Sequence, residues 1–465
     1  MQNQANIVSS NIIQKIIESI DSFGWIILLA ATPLFLTIKP EQSWLLFLLP
    51  LTWMISFLAK KQPIPKTPIN LALLVIAIQV LVSLYATYDI AISLQKVTGV
   101  IWGISVFFAL VRLSKKRKGV IISTLVFLAG GTGIAVLGLL GIEWPTNKII
   151  LFNTLYENIP TLSAFLPGLS EGFHPNEVGG ALTWILPFWL VMLFWPIFSF
   201  KKIKKAIAPV WIIILFIFNG ILLSLGSLVL LFSQSRSAYI GMAFGLIVML
   251  LVVLPKKLRF VFFLLLLIGF GFLLFFILNG QFMIFFNQLF PESGMASMAF
   301  SMNTLSGRIE IWSRAIYAIQ DFAFTGMGMN TFRTIVNVLY PLQTISADVP
   351  IKDIGHAHNL FLQVALDLGI PGLIGFIAFY LISFWMLISS IQRLRQPSER
   401  DNHQKIITKE MFTVISIGLL GGQVAHLMYG MTDAIAFGAK PGILFWVMQS
   451  IICGIYLKVR DHDYR

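Results

Sequence analysis

The chain has 465 residues, of which 57% are hydrophobic and only 11% charged. A soluble domain carries about 25% charged residues, so this composition excludes one and points to a bilayer, as does the mean hydropathy of +0.85. The net charge of +13 is not a nucleic-acid signature, because the basic residues fall in short clusters between apolar runs. The single cysteine, Cys453, excludes an intrachain disulfide and any cysteine-built metal site.

Residues 1–22 contain Lys15, Glu18 and Asp21 but no small-residue cleavage site after a short apolar core, so no signal peptide is expected. Ile12, Ile13, Ile16, Ile17 and Ile20 recur at helical spacing and predict a cytoplasmic amphipathic helix. Apolar runs long enough to cross a membrane follow at about 24–38, 43–59, 69–86, 93–111, 119–140, 178–200, 208–232, 238–254 and 260–279. After a long polar interval at 280–371, three more follow at about 372–391, 410–430 and 441–457, and then a tail at 458–465. The expected organisation is therefore membrane spans over 23–279 and 372–457 flanking one large loop at 280–371.

Orientation follows from lysine and arginine. Clusters at Lys60–Lys66, Arg112–Lys118, Lys201–Lys205, Lys256–Arg259, Arg393–Lys409 and Lys458–Arg465 all fall on one side when the spans number about twelve. A single missed or invented span would throw later clusters onto the wrong face. Both termini are thus expected in the cytoplasm, and the intervals 141–177, 233–237 and 280–371 on the opposite face. No internal repeat of the kind found in many transporters is visible.

Within the large loop, Leu305, Ile309, Trp312, Ile316 and Ile319 predict an amphipathic helix at about 306–320, with Ser306 as a candidate N-cap. Gly326 and Gly328 predict a turn. A short helix is expected from about Asn359 to Leu368, broken by Gly369-Ile370-Pro371-Gly372.

Several outer-face residues invite chemistry. Arg236, between two apolar runs, sits against the charge rule and suits an anionic ligand, or it snorkels to lipid phosphates. Arg308 and Arg314 lie on the loop helix, where they hold an anion or form a solvated face; Arg314 stands at i,i+4 from Glu310. His358 is the best proton acceptor on this face, next to a helix N-terminus that attracts anions, unless it is a plain turn residue. His356 lies further from the helix, and Asn359 can be the N-cap itself. Phe173-His174-Pro175-Asn176-Glu177 precedes a span, and a proline with polar caps needs no function there. His426, within the eleventh run, is a candidate intramembrane group or a satisfied core histidine. Asp461-His462-Asp463 reads as a solvated cytoplasmic tail. No acidic cluster appears on the outer face, so no metal or other cofactor is expected.

These pieces resemble the O-antigen ligase/polymerase superfamily of bacterial envelope enzymes. The resemblance covers roughly 170–390. It rests on Phe173–Gly180, the Ser235-Arg236 turn, the helix from Gly307-Arg308 to Trp312, the Asp321–Phe332 segment, and His358-Asn359 followed by nine residues and Gly369-x-x-Gly372. It implies an all-α polytopic membrane protein of about 12 transmembrane helices with a large, partly helical extracytoplasmic loop, GT-C-like, in the bacterial cytoplasmic membrane. It implies a metal-independent inverting glycosyltransferase working on the periplasmic face. The donor would be a polyprenyl-pyrophosphate-linked glycan, and the acceptor a hydroxyl on a glycan, lipid or protein. Arg236 and Arg308 would hold the pyrophosphate and His358 would act as general base, with Arg314, His356, Asn359 and Asn176 as supporting residues. The signature continues here as Leu373-Ile374 rather than in small polar residues, which leaves the acceptor open. A polymerase of the same superfamily, an inorganic-carbon-like transporter and a non-catalytic scaffold are the competing expectations.

Overall fold

In hydrocarbon every backbone polar group needs an internal partner, so a chain this apolar is driven to helices or to a closed barrel. The computed structural model shows helices, and it describes residues 17, 23–60, 64–116, 118–142, 144, 156, 173–198, 208–279, 305–341, 354–396 and 403–461. In chain order these are α1 (Phe23–Leu36), a 3-10 turn (Pro40–Phe47), α2 (Leu48–Lys60), α3 (Asn70–Ala86), α4 (Ile90–Ser114) and α5 (Gly119–Gly141). Then come α6 (Pro175–Phe198), α7 (Pro209–Ser233), α8 (Arg236–Val253), α9 (Lys256–Leu278), α10 (Leu305–Asp321), α11 (Phe332–Leu339), α12 (Leu360–Leu394), α13 (His403–Tyr429) and α14 (Gly442–Arg460). Each of the twelve predicted runs coincides with a helix. Among the described residues, eight helices are long and apolar enough to cross a membrane, and α1 and α3 are shorter apolar helices. The chain is an all-α, multi-pass membrane protein. The N-terminal amphipathic helix, apart from residue 17, and all of 280–304 and 342–353 lie outside the described residues.

The bundle is centred on α4 and α14, whose apolar windows are 89% buried within the protein. By contrast α7 and α8 are 28% buried and form its rim. The central helix α13 packs on α8 and α6, while α12 packs on α3. Small residues permit the tightest of these approaches. A Cβ on Gly241 would sit 2.3 Å from Ala425 O, and one on Gly245 would sit 2.6 Å from Gly421 O. This Gly-x-x-x-Gly face lets the α8 and α13 backbones touch where lipid supplies no hydrophobic drive.

Two joints attach the loop helices to the bundle. At the first, the short helix that starts after Asn359 ends at Gly369 (φ 69°, ψ 178°), as expected, so α12 is two helices joined at a break. The freed Ile370 N–H donates to Ala323 O (2.7 Å), and Met327 N–H donates to Leu366 O (2.7 Å). A Cβ at Gly369 would lie 2.5 Å from Phe324 O, so backbone meets backbone there. Oriented to satisfy its neighbours, the Gln79 amide donates to Leu368 O (3.0 Å) and Phe324 O (3.1 Å). At the second joint, Ser93 Oγ donates to Met329 O (2.6 Å) and Asn330 Nδ2 to Ile92 O (3.2 Å).

One predicted face is corrected. The residues of α10 that the protein buries are Ile311, Ala315 and Ala318, whereas Ile309 and Ile316 are exposed. The small alanines let α10 lie close to its neighbours, and the bulkier isoleucines point away. Arg308 falls three residues before Ile311 and seven before Ala315, so it shares the inward face.

Gly241→Leu should force α8 off α13, an overpacking change on the order of 1–3 kcal/mol. Thermal unfolding of the detergent-purified protein should move several degrees lower; an unchanged transition would contradict this packing.

Candidate functional site

The site is built where α6, α10, α12 and the α13–α14 connection meet. Asn359 caps α12, its side chain accepting from Phe361 N and Leu362 N (both 3.0 Å). Its amide also donates to Met431 O (2.9 Å), which ties the cap to the α13–α14 connection. His358, one residue earlier, has φ 48°, a left-handed conformation uncommon outside glycine and held here by its surroundings.

Both histidines face Asp433. His358 Nδ1 lies 3.3 Å from Asp433 Oδ1, and His356 Nε2 lies 3.6 Å from the same oxygen. The rings stand 4.4 Å apart between centroids. Ala434 N–H donates to Oδ1 (2.9 Å), and Asn176 Nδ2 donates to Oδ2 (2.9 Å). Arg308 Nη2 sits 3.6 Å from Oδ2. Tyr429 Oη donates to Asn176 O (3.0 Å) and fixes the start of α6. The Asp433 side chain is 1% exposed, so this carboxylate exchanges water for donors from four segments of the chain.

Charge and tautomer follow from these contacts. Burial alone raises the Asp433 pKa, but the His358 hydrogen bond and the charges of His356, His358 and Arg308 outweigh it and hold the carboxyl at about 2. Burial lowers His356 to about 3, against the pull of Asp433, so His356 is neutral at pH 7. Its Nδ1 accepts from the His358 N–H (3.1 Å), which leaves its proton on Nε2, toward Asp433. An ionised Asp433 likewise draws the His358 proton to Nδ1 and leaves a lone pair on Nε2. This is the arrangement in which a carboxylate orients a histidine base.

His356, His358 and Asp433 offer ligand atoms within 4.8 Å of one another, a spacing that a metal ion could bridge. A metal on His356 Nε2 would need the proton on Nδ1, where the His358 N–H already donates. The ring positions therefore suit proton transfer better than ligation.

The structure brings Arg308, His356, His358, Asn359 and Asn176 together around Asp433. Arg236 is exposed at the start of α8. Its neighbour Ser237 accepts from Thr432 Oγ1 (2.9 Å), next to Asp433, so Arg236 stands at the same end of the bundle. Arg314 lies three residues after Ile311 and four before Ala318, on the other flank of the inward face of α10 from Arg308. His426 is the satisfied core histidine: its Nδ1 sits 3.2 Å from Gly180 O and its ring stacks on Trp184 at 4.0 Å. His174 accepts from Asn176 N (3.3 Å) and is close enough to influence His356. Sequence reasoning missed Asp433, although a lone acid in a short connection between two apolar runs marks a group with a partner. It also missed Lys96, a cation seven residues into the outer end of an apolar helix.

Linkage gives this cluster a signed pH dependence. A carboxyl held at about 2, below its ordinary value of 3.8, contributes stability that is fully present above the ordinary range and lost as pH falls through about 2. Unfolding temperatures should therefore separate native protein from Asp433→Asn most at about pH 5 and converge as pH falls toward 2. A separation that grows on acidification would contradict the assignment.

Residues 220–377 match the family model described as O-Antigen ligase. The match contains Arg236, Arg308, His356, His358, Asn359 and the Gly369 joint, whereas Asn176 and Asp433 lie outside it. No curated protein matches the chain. The match over residues 220–377, which hold both histidines and Arg236, Arg308 and Arg314, supports a likeness to the O-antigen ligase superfamily.

Proposed function

We propose that the chain transfers a glycan from a polyprenyl-pyrophosphate carrier to an acceptor hydroxyl, as a metal-independent inverting O-antigen ligase of the bacterial cytoplasmic membrane. The single observation that carries this reading is the His358–Asp433 pair, with Arg308 on the second carboxylate oxygen. The acceptor hydroxyl oxygen attacks the anomeric carbon of the donor sugar as the bond from that carbon to the diphosphate breaks. His358 Nε2 takes the hydroxyl proton, and Asp433 stabilises the resulting imidazolium. The departing polyprenyl diphosphate gains negative charge, which Arg308 and Arg236 neutralise from fixed positions. In-line attack in one displacement inverts the anomeric centre. His356 stays neutral and holds Asp433 and the His358 backbone in place, while Asn176 and Asn359 position the same groups.

The face assignment rests on charge. The site lies at the end of the bundle away from the connections that carry Arg259 and Arg395, whose side chains donate to Leu254 O (3.1 Å) and Val252 O (3.0 Å). Lysine and arginine favour the cytoplasmic side, so the site faces the periplasm and both termini the cytoplasm.

The test is the surface glycan of cells in which the gene is deleted and then restored with Arg236→Ala, Arg308→Ala or His358→Ala. Each variant should insert at native levels and lose transfer by about 10²–10⁴-fold. Normal surface glycan in all three would refute the transferase. In the deletion strain, loss of all attached polymer identifies a ligase, whereas single-repeat products identify a polymerase.

A further inference from the structure

Lys96 sits at the seventh position of α4, one turn below the joint made by Ile92 and Ser93. Three observations set it apart. First, its turn is pressed against the α13–α14 connection. Gly438 (φ 86°) lies so close that a Cβ there would meet Lys96 O at 2.1 Å. Second, its side chain is partly buried and, among the described residues, makes no hydrogen bond and no ion pair. Third, it lies among charges of both signs. Glu177 and Asp367 influence it from one sign, and Arg333 and Lys440 from the other.

The acids do not neutralise it by contact. Asp367 Oδ1 is occupied by Gln363 Nε2 (2.9 Å) and Asn330 N (3.1 Å), while its buried Oδ2 has no partner. Lys96 also influences His356, which shares Asp433 with Arg308. Two cations from different helices thus act near His356, Arg308 of α10 through Asp433 and Lys96 of α4. A partly buried, unpaired ammonium within a membrane helix is costly and is retained where a ligand completes it.

We propose that Lys96 is a diphosphate anchor, binding oxygens of the donor's pyrophosphate as a second cation beside Arg308. This rests on reading the site as a lipid-diphosphate transferase, and it adds a contact outside the segment that matches the family. An ammonium suits this place because it serves as a compact point charge, whereas the arginine fork supplies directional contacts.

The test uses the full chain in nanodiscs of zwitterionic lipid, with inorganic pyrophosphate as probe. Native protein should bind pyrophosphate and unfold at higher temperature in its presence. Lys96→Met should lose binding by roughly 10- to 100-fold, consistent with loss of a charged hydrogen bond. Its unfolding temperature without ligand should equal or exceed the native value, because an unpaired charge has been removed. Lys96→Arg should bind within a few-fold of native, and Lys96→Gln supplies a second neutral variant if Lys96→Met does not fold. A purely structural lysine predicts the reverse, a less stable Lys96→Met with unchanged pyrophosphate binding, and that result overturns the proposal. So does absence of pyrophosphate binding to native protein, or its complete displacement by phosphatidylglycerol in the nanodisc, which would make the ligand a lipid headgroup. Lys96-dependent pyrophosphate binding in a protein that transfers no glycan would leave the anchor standing and remove the transferase reading.

Discussion

The constraint on which the outer half of this protein depends is the satisfaction of one buried carboxylate. Asp433 is almost fully removed from solvent, and a carboxylate so placed must collect donors or take up a proton. It collects them from α6 through Asn176, from α10 through Arg308, from the start of α12 through His356 and His358, and from its own backbone at Ala434. These segments are far apart in the chain, so meeting this one requirement also sets their relative positions. The same contacts that make the charge tolerable also orient both histidine rings. Structure and chemistry are therefore one requirement here, not two.

The glycines serve that convergence. Arg308 reaches Asp433 only because α10 is docked, and α10 is docked through the Gly326–Gly369 joint, where backbones exchange hydrogen bonds at 2.7 Å. Nine residues separate His358-Asn359 from Gly369. In helical form that length carries the chain from the Asn359 cap to the kink. The spacing in the signature thus measures the distance between His358 and the joint that docks the helix carrying Arg308. Deeper in the bundle, Gly241 and Gly245 let α8 lie against α13, which leads directly to Asp433.

Much of this was legible in the sequence for identifiable reasons. Apolar runs of bilayer length can only be helices or barrel strands, and their length excludes strands, so each of the twelve runs found its helix. Arg308, His358 and Asn359 were legible because polar residues at one end of apolar helices are few. The inward face of α10 was not, because hydrophobic size pointed to Ile309 and Ile316 while packing selected Ala315 and Ala318. Asp433 and Lys96 were not, because each is a single charge in an apolar stretch, and its meaning depends on neighbours more than 70 residues away. His356 lies further from the helix in sequence, yet its ring lies against His358 and its Nδ1 accepts the His358 N–H.

The central claim is that His358 and Asp433 act as one unit in proton transfer. A double-mutant cycle measures this most directly. Glycan transfer from a polyprenyl-pyrophosphate donor would be compared for native protein, His358→Ala, Asp433→Asn and the double variant in the same membranes. The account predicts strongly non-additive losses, with the double variant little slower than His358→Ala alone. Losses that simply multiply would show that the two residues act independently and would contradict it.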